Sequence, residues 1–157
     1  QQFLGYSTYI RGYEYNSFYK LGDIYSGGFN IDQLMGSKLA VANFEVRLPF
    51  TGPKKLAAIE SKFLFSDLNA FFDIGLAYNS DSKISFSGQP TVVATTPDPF
   101  NPGQNINVYS RVPAMSAGLS LRVNVLGYFI LEPYYAIPFQ RKTLSKGVFG
   151  LTFAPGW

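Results

Sequence analysis

The chain has 157 residues, enough for one domain, and it includes 15 Gly, 15 Phe and 11 Tyr but only 15% charged residues. It contains no Cys and no His, which excludes disulfides, thiolate nucleophiles, histidine bases and most transition-metal sites, so neither an enzyme nor a cofactor is predicted. The net charge of +3 is too weak and too scattered to indicate a nucleic-acid partner.

Residues 1–36 are dense in Gly, Tyr and Phe, and they predict the end of one strand followed by a long structured loop. Within this loop, Ile10-Arg11-Gly12-Tyr13 stands among aromatic residues. Gly12 permits a tight turn or a close approach to another wall, and Arg11 carries a planar, permanent charge. A partial match to the RNA-binding signature of the RRM fold fails, because that fold needs two amphipathic helices that the sequence does not predict.

Apolar and polar residues alternate with a period of two through residues 38–50. Its even positions after the first are all apolar, while the odd positions include Asn43, Glu45 and Arg47. A strand with these two faces has one apolar side and one charged side. A short link follows, and a brief helical turn is predicted at residues 56–60.

The same alternation recurs four times along the rest of the chain. It predicts strands at residues 63–78, 115–125, 128–139 and 147–157. The polar faces of two of these strands carry Asp73 and Glu132. The apolar face of the last strand carries Phe149, Leu151, Phe153 and Trp157.

The connections between these strands alternate between short and long. Residues 79–113 predict a long polar loop rich in proline, whereas the link at Gly127 is very tight. Short turns on one side and long loops on the other are typical of an outer-membrane barrel. No stretch approaches the ~18 apolar residues of a transmembrane helix, but barrel strands need only ~9–11 residues. We therefore predict an all-β protein with apolar faces towards lipid and polar faces towards a wet lumen.

Three single carboxylates lie on the polar faces: Glu45, Asp73 and Glu132. A glycosidase would use two of them as a paired acid and base, but no flanking feature supports that use. An arginine withdrawn from water needs a partner, since an orphan charge is costly at low dielectric. We therefore predict that Arg11 meets Glu45 and Asp73 inside the lumen. The alternative is that these groups all face open water and stay apart.

The segment Ile10-Arg11-Gly12-Tyr13 resembles the Val/Ile-Arg-Gly-Phe/Tyr motif of the bacterial surface antigen superfamily. That superfamily includes the central subunit of the barrel-assembly machinery, its translocation-and-assembly relatives and two-partner secretion translocators. Five later segments resemble the strands that follow the motif, in the same order: residues 43–49, 71–75, 116–122, 133–139 and 149–157. The resemblance implies the C-terminal five to six strands of a sixteen-stranded antiparallel transmembrane β-barrel in the bacterial outer membrane.

The resemblance also implies roles for individual residues. Arg11, with Gly12 and Tyr13, would anchor a loop that folds back into the lumen. Glu45 and Asp73 would be the lumen acceptors of that arginine. Residues 1–157 would then be one barrel domain, with the lumen-folded loop in residues 1–36 and five strands in residues 37–157.

The last segment resembles the terminal assembly-signal strand of the family. Phe149, Leu151, Phe153 and Trp157 would form that signal. Pro155 departs from the pattern, because proline donates no ladder hydrogen bond, and this puts the pairing of the strand's end in doubt.

The partners implied are outer-membrane lipid, client polypeptides, and periplasmic or lipoprotein subunits. Earlier strands of the same barrel are also predicted, because the smallest membrane barrels have eight strands and lipid does not tolerate an open sheet edge. Residues 54–69 further resemble Bacteroidetes barrels fused behind a propeller. Two other functions remain open: a passive anchor or pore for an upstream periplasmic domain, and a soluble β-barrel that binds small apolar ligands.

Overall fold

The computed structural model is dominated by strands, which make up 57% of it. It describes residues 1–21, 29–53, 55–61, 64–125, 128–141 and 146–155, so Trp157 lies outside the described residues. The strands are β1 (Gln2–Phe3), β2 (Met35–Gly36), β3 (Lys38–Gly52), β4 (Ile59–Glu60), β5 (Leu64–Tyr78), β6 (Val92–Pro97), β7 (Asn105–Tyr109), β8 (Ala114–Val125), β9 (Phe129–Pro138) and β10 (Val148–Pro155). The helical elements are α1 (Tyr15–Leu21) and a 3-10 helix (Ile31–Leu34). Within the described ranges, no helix combines the length and the apolarity needed to cross a bilayer.

A six-stranded sheet, curled into half a barrel, forms the body of the protein. Its order is β10-β9-β8-β5-β3-β4, and the long strands all pair antiparallel. Its five long strands overlap the five segments whose alternation predicts strands. The predicted fold class, the C-terminal part of an antiparallel β-barrel, is confirmed.

Two connections differ from their predictions. The predicted loop at residues 79–113 contains the hairpin β6–β7, because the β-branched residues Val, Thr and Ile favour strands in spite of the prolines around them. The helical turn predicted at residues 56–60 lies earlier, where the amides of Leu56 and Ala57 both donate to the carbonyl oxygen of Pro53. Residues 59–60 are extended instead and pair in parallel with the end of β3.

The two faces of the sheet differ as the period of two predicts. One face, here called the outer face, exposes large apolar side chains such as Phe44, Val46 and Leu48 of β3. On that face Phe72 links two other rings, since its centroid lies 6.5 Å from that of Phe44 and 6.2 Å from that of Phe139. An exposed band of this kind suits contact with hydrocarbon.

The opposite face, here called the inner face, is covered at one end by residues 4–18, here called the tip loop. Small sheet residues make room for it: a Cβ at Gly75 would lie 2.5 Å from Ile10 Cδ1 and 2.8 Å from Leu4 Cδ1. Dry packing therefore replaces the wet lumen that the polar alternation predicts at this end of the sheet. The buried apolar residues of this contact are Leu4, Ile10, Tyr13, Phe18, Phe29, Ile31, Leu34, Ala77, Val112 and Ala114.

Replacing Leu119 with arginine tests whether the outer face meets lipid. Leu119 lies in the middle of β8, and its side chain is 55% exposed on the outer face. In a bilayer the change should lower the free energy of unfolding by about 2–4 kcal/mol, because arginine is costly near the midplane. On a face that meets water the same change would be almost neutral. The measurement is the urea midpoint of the folded protein in lipid vesicles.

Thr152→Arg is the matched control, because Thr152 lies on the inner face of β10 opposite Glu132 of β9. Its cost should stay below about 1 kcal/mol, as expected for a lumen-facing position. Equal midpoints for the two variants would show that the outer face does not meet lipid.

Candidate functional site

Arg11, in the tip loop, makes a bidentate contact with Asp73 of β5. Its Nε donates to Oδ2 at 2.8 Å and its Nη2 donates to Oδ1 at 2.8 Å. The Arg11 backbone amide adds a bond to Oδ2 at 3.2 Å, and Asn43 of β3 donates to Oδ1 at 2.8 Å. Asp73 is fully buried, and these four donors replace the water that its carboxylate loses.

Two further carboxylates contact the same guanidinium. Nη2 of Arg11 lies 3.0 Å from Oε1 of Glu45 on β3, and Nη1 donates to Oε1 of Glu132 on β9 at 3.2 Å. Burial alone would lower the pKa of Arg11, but the hydrogen bonds that it donates to Asp73 and the charges of the three carboxylates raise that pKa above its ordinary value. Arg11 is therefore a permanent cation held by three strands.

The carboxylates of Glu45, Asp73 and Glu132 are here called the acidic cluster. Two arginines besides Arg11 balance its negative charge. Arg47 donates to Oε2 of Glu45 at 2.6 Å, and Nε of Arg122 lies 4.0 Å from Oε2 of Glu132. With Arg11 and Asp73, three guanidinium groups face three carboxylates. The acidic cluster and the three arginines are thus neutral together, so their burial carries no uncompensated charge.

Phe71 is a buried aromatic residue on the inner face of β5, between Asn69 and Asp73. The guanidinium carbon of Arg11 lies 3.5 Å from the centroid of its ring, a cation–π contact. Gly118 on β8 gives the ring its space, because a Cβ there would lie 2.7 Å from Phe71 Cζ. The guanidinium of Arg11 therefore lies over the face of the Phe71 ring.

Gly12 and Tyr13 fix the tip loop on the other side of Arg11. Gly12 has a φ of +90°, a conformation that favours glycine, and a Cβ there would lie 3.3 Å from the Cβ of Ala136 on β9. The buried Tyr13 hydroxyl lies 2.9 Å from the carbonyl oxygen of Met115 and 2.5 Å from Oε1 of Gln140. Burial raises the pKa of Tyr13 well above its ordinary value, so the hydroxyl remains a donor.

The structure brings one group of the sequence-predicted residues together and leaves another apart. Arg11, Glu45 and Asp73 lie in direct contact, whereas Gly12 and Tyr13, the next residues of the tip loop, bind Glu14 and Met115. The outer face of β10 carries the rest of the described candidates, all exposed: Phe149, Leu151 and Phe153.

Several partners of the tip loop could not be predicted from the sequence. Glu132 is recognisable there as a single carboxylate on a polar face, but not as a partner of Arg11. Phe71 breaks the apolar–polar alternation of its strand, and that break was the available signal for a stacked cation. Gln140 and Arg141 lie in a connection without periodicity, so the sequence carries no comparable signal for them.

Comparison with known families agrees with this architecture. The family model of the Omp85 superfamily domain matches residues 1–156. Among curated proteins and among solved structures, none matches the chain significantly. Because the family match extends over nearly all of the sequence, the chain belongs to the Omp85 superfamily, whose members are outer-membrane proteins of Gram-negative bacteria.

Proposed function

We propose that this chain forms the C-terminal wall of a barrel that inserts or translocates other polypeptides, with Arg11 holding the wall in its competent state. Insertion and translocation of proteins at the outer membrane are the activities of the family. The observation that carries the proposal is the burial of Arg11, which is only 6% exposed, among carboxylates from three different strands.

The acidic cluster acts across the wall and not along one strand. Glu45, Asp73 and Glu132 lie on β3, β5 and β9, so one guanidinium constrains the relative positions of three strands. Next to the tip loop, the inner face borders an open space of 780 Å³ that is lined by both polar and charged side chains. An open space beside a wall of fixed shape is consistent with a polypeptide passing along the inner face.

The terminal strand is the part of the wall that we propose to move. In the described part of the sheet, β10 pairs only with β9, over residues 148–155. An unpaired strand edge is a template for another chain, so a client strand could add to β10. Pro155 is the last residue of β10, and residues 148–154 keep the amide donors that such pairing needs.

Arg11→Ala tests the anchoring role. It removes the main partner of a buried carboxylate, which should cost about 3–5 kcal/mol of stability, and client folding should slow with it. Arg47→Ala is the matched control: that side chain is 51% exposed and contacts the same Glu45, so its cost should stay within about 1 kcal/mol. The measurements are the urea midpoint in lipid vesicles and the rate at which a client barrel folds into them.

A charge exchange sharpens this test. Arg11→Asp combined with Asp73→Arg should recover part of the stability and part of the client folding rate, since the ion pair is restored in reverse. Wild-type behaviour of Arg11→Ala would remove the anchoring hypothesis. A barrel that serves only as a passive anchor or pore would lose stability in Arg11→Ala but would not accelerate client folding in any variant.

A photocrosslinking residue at position 151 tests the role of β10. Leu151 and Leu119 are both exposed leucines on the outer face, but Leu151 lies on the terminal strand and Leu119 on β8 in the middle of the sheet. During client folding, a client adduct should form from position 151 and not from position 119. Equal adducts from both positions, or none from position 151, would contradict pairing at β10.

A further inference from the structure

A second arginine, Arg141, contacts the tip loop at Gly12, Ser17 and Phe18. It follows β9 in the chain and is only 3% exposed. Its guanidinium carbon lies 3.7 Å from the ring centroid of Phe18. Its Nη1 donates to Oγ of Ser17 at 2.5 Å and to the carbonyl oxygen of Gly12 at 3.4 Å. A planar guanidinium can stack and donate in this way at the same time, whereas a lysine ammonium cannot.

The neighbouring residue, Gln140, joins the same loop to the start of β8. Its Oε1 accepts the Met115 amide at 2.8 Å and the Tyr13 hydroxyl at 2.5 Å, and its backbone amide donates to that hydroxyl at 3.3 Å. Gln140 and Arg141 are both buried, although they lie in a connection between strands. Burial of polar groups in a connection requires such partners, so these contacts are a built feature of the fold.

The tip loop also contacts β10 itself. A Cβ at Gly12 would lie 3.4 Å from Cγ1 of Val148, the first residue of that strand. The ring of Tyr134 covers Gly150, where a Cβ would lie 2.7 Å from Cε2. The Tyr134 hydroxyl donates to the side chain of Glu14, which also accepts the Gly12 amide at 3.0 Å. A continuous set of contacts therefore leads from the loop to the terminal strand.

The two arginines thus act on different parts of the wall. The carboxylates that bind Arg11 lie on β3, β5 and β9, whereas Arg141 lies in the connection that leads from β9 into β10. Val148, the first residue of β10, packs against Gly12, and the Gly12 carbonyl oxygen accepts a hydrogen bond from Arg141. Arg141 therefore holds the part of the tip loop that lies against the start of β10, whereas Arg11 holds the loop to β3, β5 and β9.

We propose that Gln140 and Arg141 form a latch that ties the β9–β10 connection to the tip loop, and that Arg141 is the positioning residue that controls the opening of β10. The inference rests on the proposed function, in which β10 moves to admit a client. It adds a second point of control to the tip loop, separate from the acidic cluster.

Hydrogen exchange in the intact protein, embedded in lipid nanodiscs, tests the latch. Arg141→Met removes the charge and the planar group but keeps a long apolar side chain. Amides of residues 148–153 should then exchange about tenfold faster, the effect expected from losing hydrogen bonds to a charged donor, while those of β3 and β5 stay unchanged. Arg141→Lys should also accelerate exchange at β10, because the ammonium cannot stack and donate in the same geometry.

Arg111→Met is the matched control. Arg111 is also a loop arginine, and it donates to the carbonyl oxygen of Asp32, away from β10. Its replacement should leave exchange in residues 148–153 at the wild-type rate. The rate of client folding is measured for the same variants, and Arg141→Met should change it.

Unchanged exchange at β10 in Arg141→Met, or an equal increase in every strand, would overturn the latch. Faster exchange confined to β10 with an unaltered client folding rate would overturn its control of opening. In that case the proposed function would still stand on the separate behaviour of Arg11→Ala. Faster exchange at β10 together with an altered folding rate supports the proposal.

Discussion

The burial of one permanent cation constrains the rest of this structure. Arg11 cannot lose its charge, so it can leave water only where carboxylates and hydrogen-bond acceptors are already arranged around it. Asp73 supplies one oxygen to Nε and one to Nη2, and Glu45 and Glu132 supply one contact each. These acceptors come from three strands, and therefore the register of the sheet and the position of the loop are determined together.

The inner face accommodates the loop because it carries glycine where the loop and the ring of Phe71 come close to the sheet. Gly75 leaves room for two apolar side chains of the tip loop, and Gly118 leaves room for the ring of Phe71. Larger residues at these positions would hold the loop away from the sheet, and Arg11 would then lie too far from Asp73. Close packing and charge pairing are therefore two parts of one contact between the tip loop and the sheet.

Much of the fold could be predicted from the sequence because a period of two requires no knowledge of distant residues. The alternation in residues 38–50 is already a strand with one apolar face, whatever lies beside it. The hairpin β6–β7 could not be found in this way, since its strands are short, exposed and surrounded by prolines. The pairing of Arg11 with Asp73 was reachable through charge and resemblance, whereas the contacts of Arg141 depend on how two connections meet in space.

The contacts of the tip loop also bear on the order in which this wall can assemble. Arg11 and Glu132 are 121 residues apart in sequence, and Ser17 and Arg141 are 124 apart. Such distant contacts form only after the intervening strands have been synthesised and brought together, because the entropy of closing the long loop has to be offset first. Until β9 lies beside β8, Arg11 lacks the carboxylate of Glu132, and the tip loop lacks its contacts with Gln140 and Arg141. The full set of tip-loop contacts can therefore form only in a molecule in which β8 and β9 are already in place.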